Sequence, residues 1–249
     1  MREHEIAVIV GGGAGVSASC ARLLASEGMK VAIAARTPGK PALQQLKIDN
    51  GVSVYGCDAA DEVSVANLFH QVKSDLGNPT LVVHNIDGRT PSVFRKEITE
   101  VAAEDVKATL MNSTYSAFLV AQQAARCFLD NEIDGYGRGT MIFTNASAAL
   151  KGFPKSGAFA AACHGKAGLA QSMARELMPQ GVHVANCPID CAIGVTQEDG
   201  SRQHWAAGET TGDNMADPDY IAQAYLQIHR QHRSTWTNEV VLRPWTERW

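Results

Sequence analysis

The sequence predicts an α/β fold: a doubly wound parallel sheet in a single domain that spans residues 1–249. Two observations predict it. Six or seven short apolar runs with the pattern of buried strands alternate with segments of helical periodicity, and the connections between them are short. A chain of 249 residues with 45% hydrophobic and 19% charged residues can bury one large core. Helices therefore cover both faces of the predicted sheet, and a ligand would bind at the carboxyl ends of the strands.

The predicted elements follow one another in regular order. Each strand is a short apolar run, and each helix places apolar residues on one face. The predicted strands cover residues 5–10, 29–36, 52–58, 80–88, 139–147, 182–189 and 238–244. The predicted helices cover residues 17–28, 42–50, 61–77, 103–131, 157–178 and 217–231. The only long irregular segment, 194–218, leaves the end of a strand, which predicts a substrate or lid loop.

Charge and cysteine usage exclude several classes of protein. The net charge is −4, and the densest basic segment, 229–234, is short, so no nucleic-acid partner is expected. The first residues fit neither a signal peptide nor a membrane span, which predicts a cytoplasmic protein without a membrane partner. The cysteines form no Cys-x-x-Cys pair, so we expect free thiols and no metal site; they are Cys20, Cys57, Cys127, Cys163, Cys187 and Cys191.

A glycine-rich turn, GGGAGVS, joins the first predicted strand to its helix. In that position missing side chains let backbone N–H groups and the helix dipole approach a pyrophosphate. The turn from Gly11 to Ser17 therefore predicts a dinucleotide site, although a tight turn without a ligand has the same pattern.

Arg36 ends the second predicted strand, where no acid is present to bind an adenosine ribose. An arginine at this place can pair with a 2′-phosphate, so we expect NADP(H) rather than NAD(H) as the cofactor. The alternative is a solvated arginine that follows a strand.

Several motifs together resemble those of the short-chain dehydrogenase/reductase family. They are the turn GGGAGVS, Asp58 at the end of the third strand, His-Asn-Ile-Asp at 84–87, Asn112 in the long helix, and AQSMARELMPQGVHVAN at 170–186. The resemblance covers essentially the whole chain. It implies a single dinucleotide-binding Rossmann domain, hydride transfer to or from a small carbonyl or alcohol, and a homodimer or homotetramer.

The resemblance also assigns roles to individual residues. The glycine-rich turn frames the pyrophosphate, the acid after the third strand contacts the adenine, and the asparagine of the long helix holds a proton-relay water. Together with Arg36, the implied cofactor-binding residues are Gly11, Gly15, Ser17, Asp58 and Asn85, and Asn112 is the residue at the position that holds the water. In the motif at 84–87, the first and last positions differ from the Asn-Asn-Ala-Gly of the family.

The catalytic tyrosine and lysine of the family are replaced in this sequence. In the family the tyrosine transfers the substrate proton, and a lysine four residues later, on the same helical face, lowers the pKa of the tyrosine. Alignment through residues 175–177 places Phe159 at the tyrosine position and Cys163 at the lysine position. None of the five tyrosines has a lysine four residues downstream. The same alignment places Ala146 at the position of the family's serine, with Ser147 next to it.

Three residues are candidates to replace the lost groups. Lys166 shares a helical face with Phe159 and Cys163 and could restore a positive charge, whereas an exposed lysine on a packed helix is the commoner outcome. His84 ends the fourth strand and could act as an acid, or it is a hydrogen-bonded structural histidine. Cys163 could act as a nucleophile beside a cation, or it packs as a small buried thiol.

The sequence as a whole predicts an NADP(H)-binding oxidoreductase with an atypical or degraded active site. We expect Asn112 and Ser147 to position the hydride transfer, with the proton supplied by water or by a group such as His84. One alternative is a non-catalytic protein that binds a nucleotide or another small ligand in the same cleft. Another is a non-redox reaction that uses Cys163 or Ser147 as its nucleophile.

Overall fold

The computed structural model describes residues 5–196, 199, 201–204, 208–210 and 213–248. Its centre is a six-stranded parallel sheet with the strand order β3-β2-β1-β4-β5-β6. Numbered along the chain, the strands are β1 (Ile6–Val10), β2 (Lys30–Ala35), β3 (Ser53–Gly56), β4 (Leu81–His84), β5 (Gly139–Ala146) and β6 (Val182–Ile189). The predicted doubly wound parallel sheet is confirmed.

Helices cover both faces of this sheet. They are α1 (Val16–Ser26), α2 (Pro41–Asn50), α3 (Glu62–Asp75), α4 (Ala103–Leu110), α5 (Ser116–Leu129), α6 (Gly157–Leu177) and α7 (Pro218–His229). Because side chains alternate along a strand, Val8 packs with α3, α5 and α6 on one face, while Ala7 and Ile9 pack with α1, α2 and α7 on the other. Among the described residues, no helix is long and apolar enough to cross a membrane.

The predicted long helix, residues 103–131, is interrupted by a wider turn. A π-helical turn, Met111–Tyr115, connects α4 to α5. The Ser116 hydroxyl donates to the Asn112 carbonyl inside this turn, and Tyr115 packs against the core. Such turns commonly mark functional positions, and this one brings Asn112 to the carboxyl edge of the sheet.

The last predicted strand, 238–244, pairs with β6 only at two isolated parallel bridges, Asn186 with Glu239 and Ile189 with Leu242. The backbone N–H of Asn186 donates to the backbone carbonyl of Asn238, and the backbone N–H of Leu242 donates to the carbonyl of Pro188. In a parallel ladder the next bond would come from the backbone nitrogen of Pro188, which carries no hydrogen. The proline therefore explains why this edge does not form a continuous seventh strand.

Described parts of the segment predicted as a substrate or lid loop, 194–218, reach the carboxyl edge of the sheet, where Val195 and His204 line a cavity. These parts form four short strands, β8 (Val195–Thr196), β9 (Arg202–His204), β10 (Gly208–Thr210) and β11 (Met215–Ala216), and a further short strand, β7 (Ala192–Ile193), precedes them. The pairings β8–β9 and β9–β10 are antiparallel, and β11 pairs with β7 in parallel. Other residues of the predicted loop lie outside the described part of the chain.

Candidate active site

The glycine-rich turn lies directly against the end of β4. Gly11 has a φ of 108°, in the left-handed region, and a side chain there would collide with the Asn85 carbonyl. The Ser17 hydroxyl donates to the Gly11 carbonyl over 2.8 Å, and the Asn85 side-chain amide donates to Ser17 Oγ over 2.7 Å. The structure thus joins three of the predicted cofactor residues in one hydrogen-bonded unit.

Two other glycines of the turn, Gly13 and Gly15, face open space. A Cβ atom added at Gly13 or Gly15 would meet nothing within 4 Å. Gly15 is also the N-cap of α1, so the positive end of the helix dipole points into the same space. A backbone cradle at a helix N-terminus fits the pyrophosphate of a dinucleotide. The chain therefore offers a place for the phosphates of the predicted cofactor.

Two cavities lie on either side of this turn. The first, on the side of β2 and β3, has a volume of about 360 Å³, and Arg36, Asp58 and Asn112 line it. Lys40, which precedes the first residue of α2, lies in the same wall. The structure thus brings Arg36 and Asp58 together, as expected for an adenosine site. The analysis of the sequence missed Lys40, although the segment Arg-Thr-Pro-Gly-Lys-Pro shows two basic residues in a short loop.

The second cavity, on the side of β5 and α6, has a volume of about 330 Å³. Phe159, Cys163 and Lys166 line it from α6, and Ala146 lines it from the end of β5. The two cavities adjoin, because four residues line both: Asn85, Ile86, Asp87 and Arg89. No tyrosine is among the described residues of either wall.

Arg89 lines both cavities, and its side chain packs against Phe159. Its guanidinium carbon lies 4.2 Å from the centre of the Phe159 ring, which is within the range of a cation–π contact. The same guanidinium forms a two-pronged ion pair with Asp87, at 2.9 Å from Nε to Oδ1 and 2.7 Å from Nη2 to Oδ2. The sequence analysis missed this residue, since no motif singles out an arginine after the fourth strand.

Cys163 is a buried thiol with 2% of its surface exposed. Burial raises its pKa to about 11, although the Lys166 cation acts in the opposite direction. At neutral pH the side chain is therefore a neutral thiol rather than a nucleophilic thiolate. Its backbone carbonyl accepts a hydrogen bond from the Asn145 side chain, which ties α6 to β5.

Lys166 is buried, contrary to the commoner outcome for a lysine on a packed helix, and only 2% of its surface is exposed. Its Nζ donates to the carbonyl of Ile86 over 2.9 Å and to the carbonyl of Thr144 over 3.2 Å. Burial lowers the pKa of Lys166 to about 8, because the charged form loses its water, while Cys163 and Asp87 raise it slightly. Lys166 therefore lies in the wall of the cavity that Phe159 also lines, with its ammonium held against two backbone carbonyls.

His84 does not reach this cavity. Its ring is fully buried, and Nε2 lies 2.9 Å from the Ser116 hydroxyl. Burial, together with the nearby Lys166 cation, holds the pKa of His84 well below its usual value, so the ring is neutral. His84 lines neither cavity, and its bond to Ser116 fits the alternative of a hydrogen-bonded structural histidine.

Ser147 and Asn112 are not among the described residues that line the cavity beside Phe159. The Ser147 hydroxyl donates to the Ile189 carbonyl, 3.5 Å away, and it is Ala146 rather than Ser147 that lines the cavity. Asn112 lines the adjoining cavity. The structure thus places these two predicted residues at different positions of the cleft, and Ala148, next to Ser147, packs against Phe159 and Cys163.

The chain is similar in sequence to known reductases and dehydrogenases. Residues 11–242 match a family described as enoyl-(acyl carrier protein) reductase. A 3-oxoacyl-[acyl-carrier-protein] reductase of Mycobacterium tuberculosis is 30% identical over 175 residues, which cover 70% of this chain and 64% of that protein. Sorbitol-6-phosphate 2-dehydrogenase of Escherichia coli is 28% identical over 73% of this chain. The match with the mycobacterial reductase thus spans less than two thirds of that protein.

Solved structures show the same fold along nearly the whole chain. A short-chain dehydrogenase from Rhodopseudomonas palustris has a TM-score of 0.76 and 26% identity, and the match covers 98% of this chain and 100% of that one. An alcohol dehydrogenase from Thermococcus sibiricus, solved with 5-hydroxy-NADP, has a TM-score of 0.79 and 19% identity over 99% of both chains. At that low identity the second likeness concerns the fold alone.

Proposed function

The chain belongs to the short-chain dehydrogenase/reductase family, and on that premise we propose that it is an NADP(H)-dependent oxidoreductase. Its substrate would be a small carbonyl compound or alcohol. The observation that carries this proposal is the pair of adjoining cavities on either side of the glycine-rich turn. One holds cationic side chains for an adenosine phosphate, and the other lies beside α6.

The choice of NADP(H) rests on Arg36 and Lys40. Both line the cavity at the carboxyl ends of β2 and β3, and no acid follows β2 directly to bind a ribose hydroxyl. Two cations beside an adenosine ribose favour a 2′-phosphate through charge-assisted hydrogen bonds. Among structures of the same fold, the Thermococcus enzyme holds 5-hydroxy-NADP and a metagenomic oxidoreductase holds NADP. Both observations support the same cofactor.

The remaining residues of the cleft hold and orient the ligands. The turn from Gly11 to Ser17 would carry the pyrophosphate, Asp58 would contact the adenine, and Asn85 would fix the turn. When bound, the reduced cofactor supplies a hydride to a carbonyl carbon. The apolar wall of Phe159 and Ala146 would exclude water beside that carbon. We propose that Val195 and His204, in the segment 194–218 predicted as a substrate loop, lie against the substrate, since both line the same cavity.

The proposed active site is atypical because Phe159 has no proton to give. A positioned acid or base is worth roughly 10²–10⁴-fold in rate, so a water-dependent version of the reaction would be slow. This gives weight to the second candidate function, a protein that binds the dinucleotide without turnover, and the contact of Arg89 with Phe159 is compatible with it. A nucleophilic reaction at Cys163 has less support, because burial raises the pKa of the thiol to about 11.

We also propose a homodimer or homotetramer in the cytoplasm. Apolar side chains in the π-helical turn and in α5 are partly exposed: Met111 at 37%, Phe118 at 43% and Leu129 at 39%. Exposed apolar side chains on a helix are typical of subunit contacts. The six cysteines are free thiols, as expected in a reducing compartment.

A binding titration with NADPH and NADH tests the proposal. We expect micromolar or tighter binding of NADPH and weaker binding of NADH. Arg36→Ala and Lys40→Ala should each weaken NADPH binding ~10–100-fold, the loss of one charged hydrogen bond, with little effect on NADH. Arg175→Ala, at an exposed position on α6, is the matched control and should bind both as the wild type does. Failure to bind either dinucleotide would remove the cofactor assignment.

A further inference from the structure

The second cavity contains a proton-carrying group on the wall where Phe159 lies. Phe159, Cys163 and Lys166 all line it, and the seven residues from Phe159 to Lys166 make nearly two helical turns, so both side chains share a face of α6. Lys166 is part of this wall and does not extend to the protein surface, since only 2% of its own surface is exposed.

We propose that Lys166 is the catalytic acid of this site, a lysine that delivers the substrate proton directly. The inference rests on the proposed oxidoreductase function and deepens it. As the carbonyl carbon accepts the hydride, the electron pair of the carbonyl bond moves to the oxygen, and that oxygen takes a proton from the Lys166 ammonium. The products are the alcohol and a neutral Lys166 amine, which takes a proton back from water. A bound reduced dinucleotide would supply the two electrons that balance the reduction of the carbonyl.

The ammonium is fixed by backbone groups from two strands. Its bonds to Ile86 and Thr144 come from the chain just beyond β4 and from the end of β5. An ammonium has three N–H donors, so these two bonds leave one for a substrate oxygen. The Thr144 side chain is itself held by the Tyr225 hydroxyl over 2.8 Å. A group held at two points keeps its direction during proton transfer, as an acid of this kind requires.

The charges around Lys166 set its acidity. Cys163 lies on the same helix, Asp87 and Arg89 follow β4, and His84 ends β4. Cys163 and His84 are neutral near pH 7, since burial raises the pKa of the thiol and lowers the pKa of the imidazole. Asp87 is engaged by Arg89. Burial therefore dominates and lowers the Lys166 pKa to about 8, closer to neutral pH than an ordinary lysine.

The sign of the pH dependence follows from the direction of proton transfer. Reduction of a carbonyl needs the protonated ammonium, so the rate should be full below pH 8 and fall as the pH rises through about 8. Oxidation of the alcohol needs the neutral amine, so that rate should rise over the same range. An uncatalysed proton from water would produce neither limb at this pH.

Variants of Lys166 separate its charge from its proton. Lys166→Met removes both and should lower kcat for carbonyl reduction ~10²–10⁴-fold, with the limb near pH 8 abolished. Lys166→Arg keeps the charge but holds its proton, so it should bind NADPH as the wild type does and still lack the wild-type rate. Lys47→Met, at an exposed position of α2, should leave rate and pH profile unchanged. Circular dichroism checks the folding of each variant, because Lys166→Met leaves two carbonyls without their donor.

A measurement on the wild-type protein without cofactor does not depend on activity or on those variants. Pulse acetylation over a pH series, read residue by residue by mass spectrometry, should show Lys166 reacting with a midpoint near pH 8. Bound NADPH should slow the labelling of Lys166 and leave that of the exposed Lys47 unchanged. A midpoint for Lys166 at the ordinary value for lysine, or no labelling at any pH, would overturn the assignment.

The two levels of the proposal fail in different ways. If the protein binds no dinucleotide or reduces no carbonyl, the oxidoreductase function fails, and the catalytic role of Lys166 fails with it. If it binds NADPH and reduces a carbonyl while Lys166→Met keeps the wild-type rate and pH profile, only the role of Lys166 is wrong.

Discussion

At the scale of single residues, the cleft combines a ring without a proton and a buried ammonium. Phe159 has no hydroxyl, and Arg89 stacks on its face. Lys166 lies seven residues further along the same helix, and two carbonyl oxygens, those of Ile86 and Thr144, hold its ammonium. The chemistry of the site then depends on whether a substrate oxygen can approach Lys166. The burial of that lysine makes it a stronger acid than a surface lysine, since desolvation disfavours the charged form.

Restoring a phenol at position 159 tests how this wall takes part in the reaction. Phe159→Tyr adds a hydroxyl on the helix face that also carries Lys166, and we expect kcat/KM for carbonyl reduction to rise ~10–10²-fold, because a second proton donor is then in reach. Steady-state kinetics with NADPH measure the effect. Phe159→Leu is the control, and an equal rise in that variant would show that space, and not proton transfer, limits the rate.

At the scale of elements, the turn between β1 and α1 does two different jobs. Gly11 must be a glycine because its φ is 108° and its Cβ position is taken by the Asn85 carbonyl. At Gly13 no atom lies within 4 Å of the position that a Cβ would take, and the residue lines the cavity beside α6. One glycine therefore serves the fold, and the other leaves room for a ligand.

Alanine at each of these glycines separates the two jobs. Gly11→Ala should destabilise the protein by ~1–3 kcal/mol, through strained backbone and a displaced β4 end. Gly13→Ala should leave the free energy of unfolding within ~0.5 kcal/mol of the wild type but weaken NADPH binding, because the methyl group enters the space of the pyrophosphate. Urea unfolding and the binding titration measure both. Equal loss of stability in the two variants would contradict this division.

Local sequence patterns predict the secondary-structure elements but not the contacts between residues that are distant in the chain. The alternating strands and helices, the glycine turn, Arg36 and Asp58 were predictable, because each depends on residues close together in the chain. The burial of Lys166 was not, since its two carbonyl partners lie 80 and 22 residues away. The ion pair and ring contact of Arg89 depend in the same way on where α6 packs. The interrupted pairing of residues 238–244 with β6 was not predictable either, because the effect of Pro188 depends on the register between these two segments.

At the scale of the whole molecule, the parallel sheet collects all these groups at one edge. Each strand ends on the same side, so the turn after β1, the loops after β2 to β5 and the first half of α6 meet at the two cavities. The short strands of the segment 194–218 cover part of the same edge, with Val195 and His204 at the wall. The arrangement can place a dinucleotide beside a small substrate and shield the reacting atoms from water.

The most direct test of the central claim is the fate of a labelled hydride. NADPH carrying deuterium at the transferable position of C4 is incubated with the protein and a panel of small aldehydes and ketones, and the alcohols are analysed by mass spectrometry. We expect an alcohol that carries a single deuterium on the former carbonyl carbon, formed faster below pH 8 than above it. NADPH that binds tightly but gives no deuterated product with any carbonyl would contradict an oxidoreductase and identify a dinucleotide-binding protein.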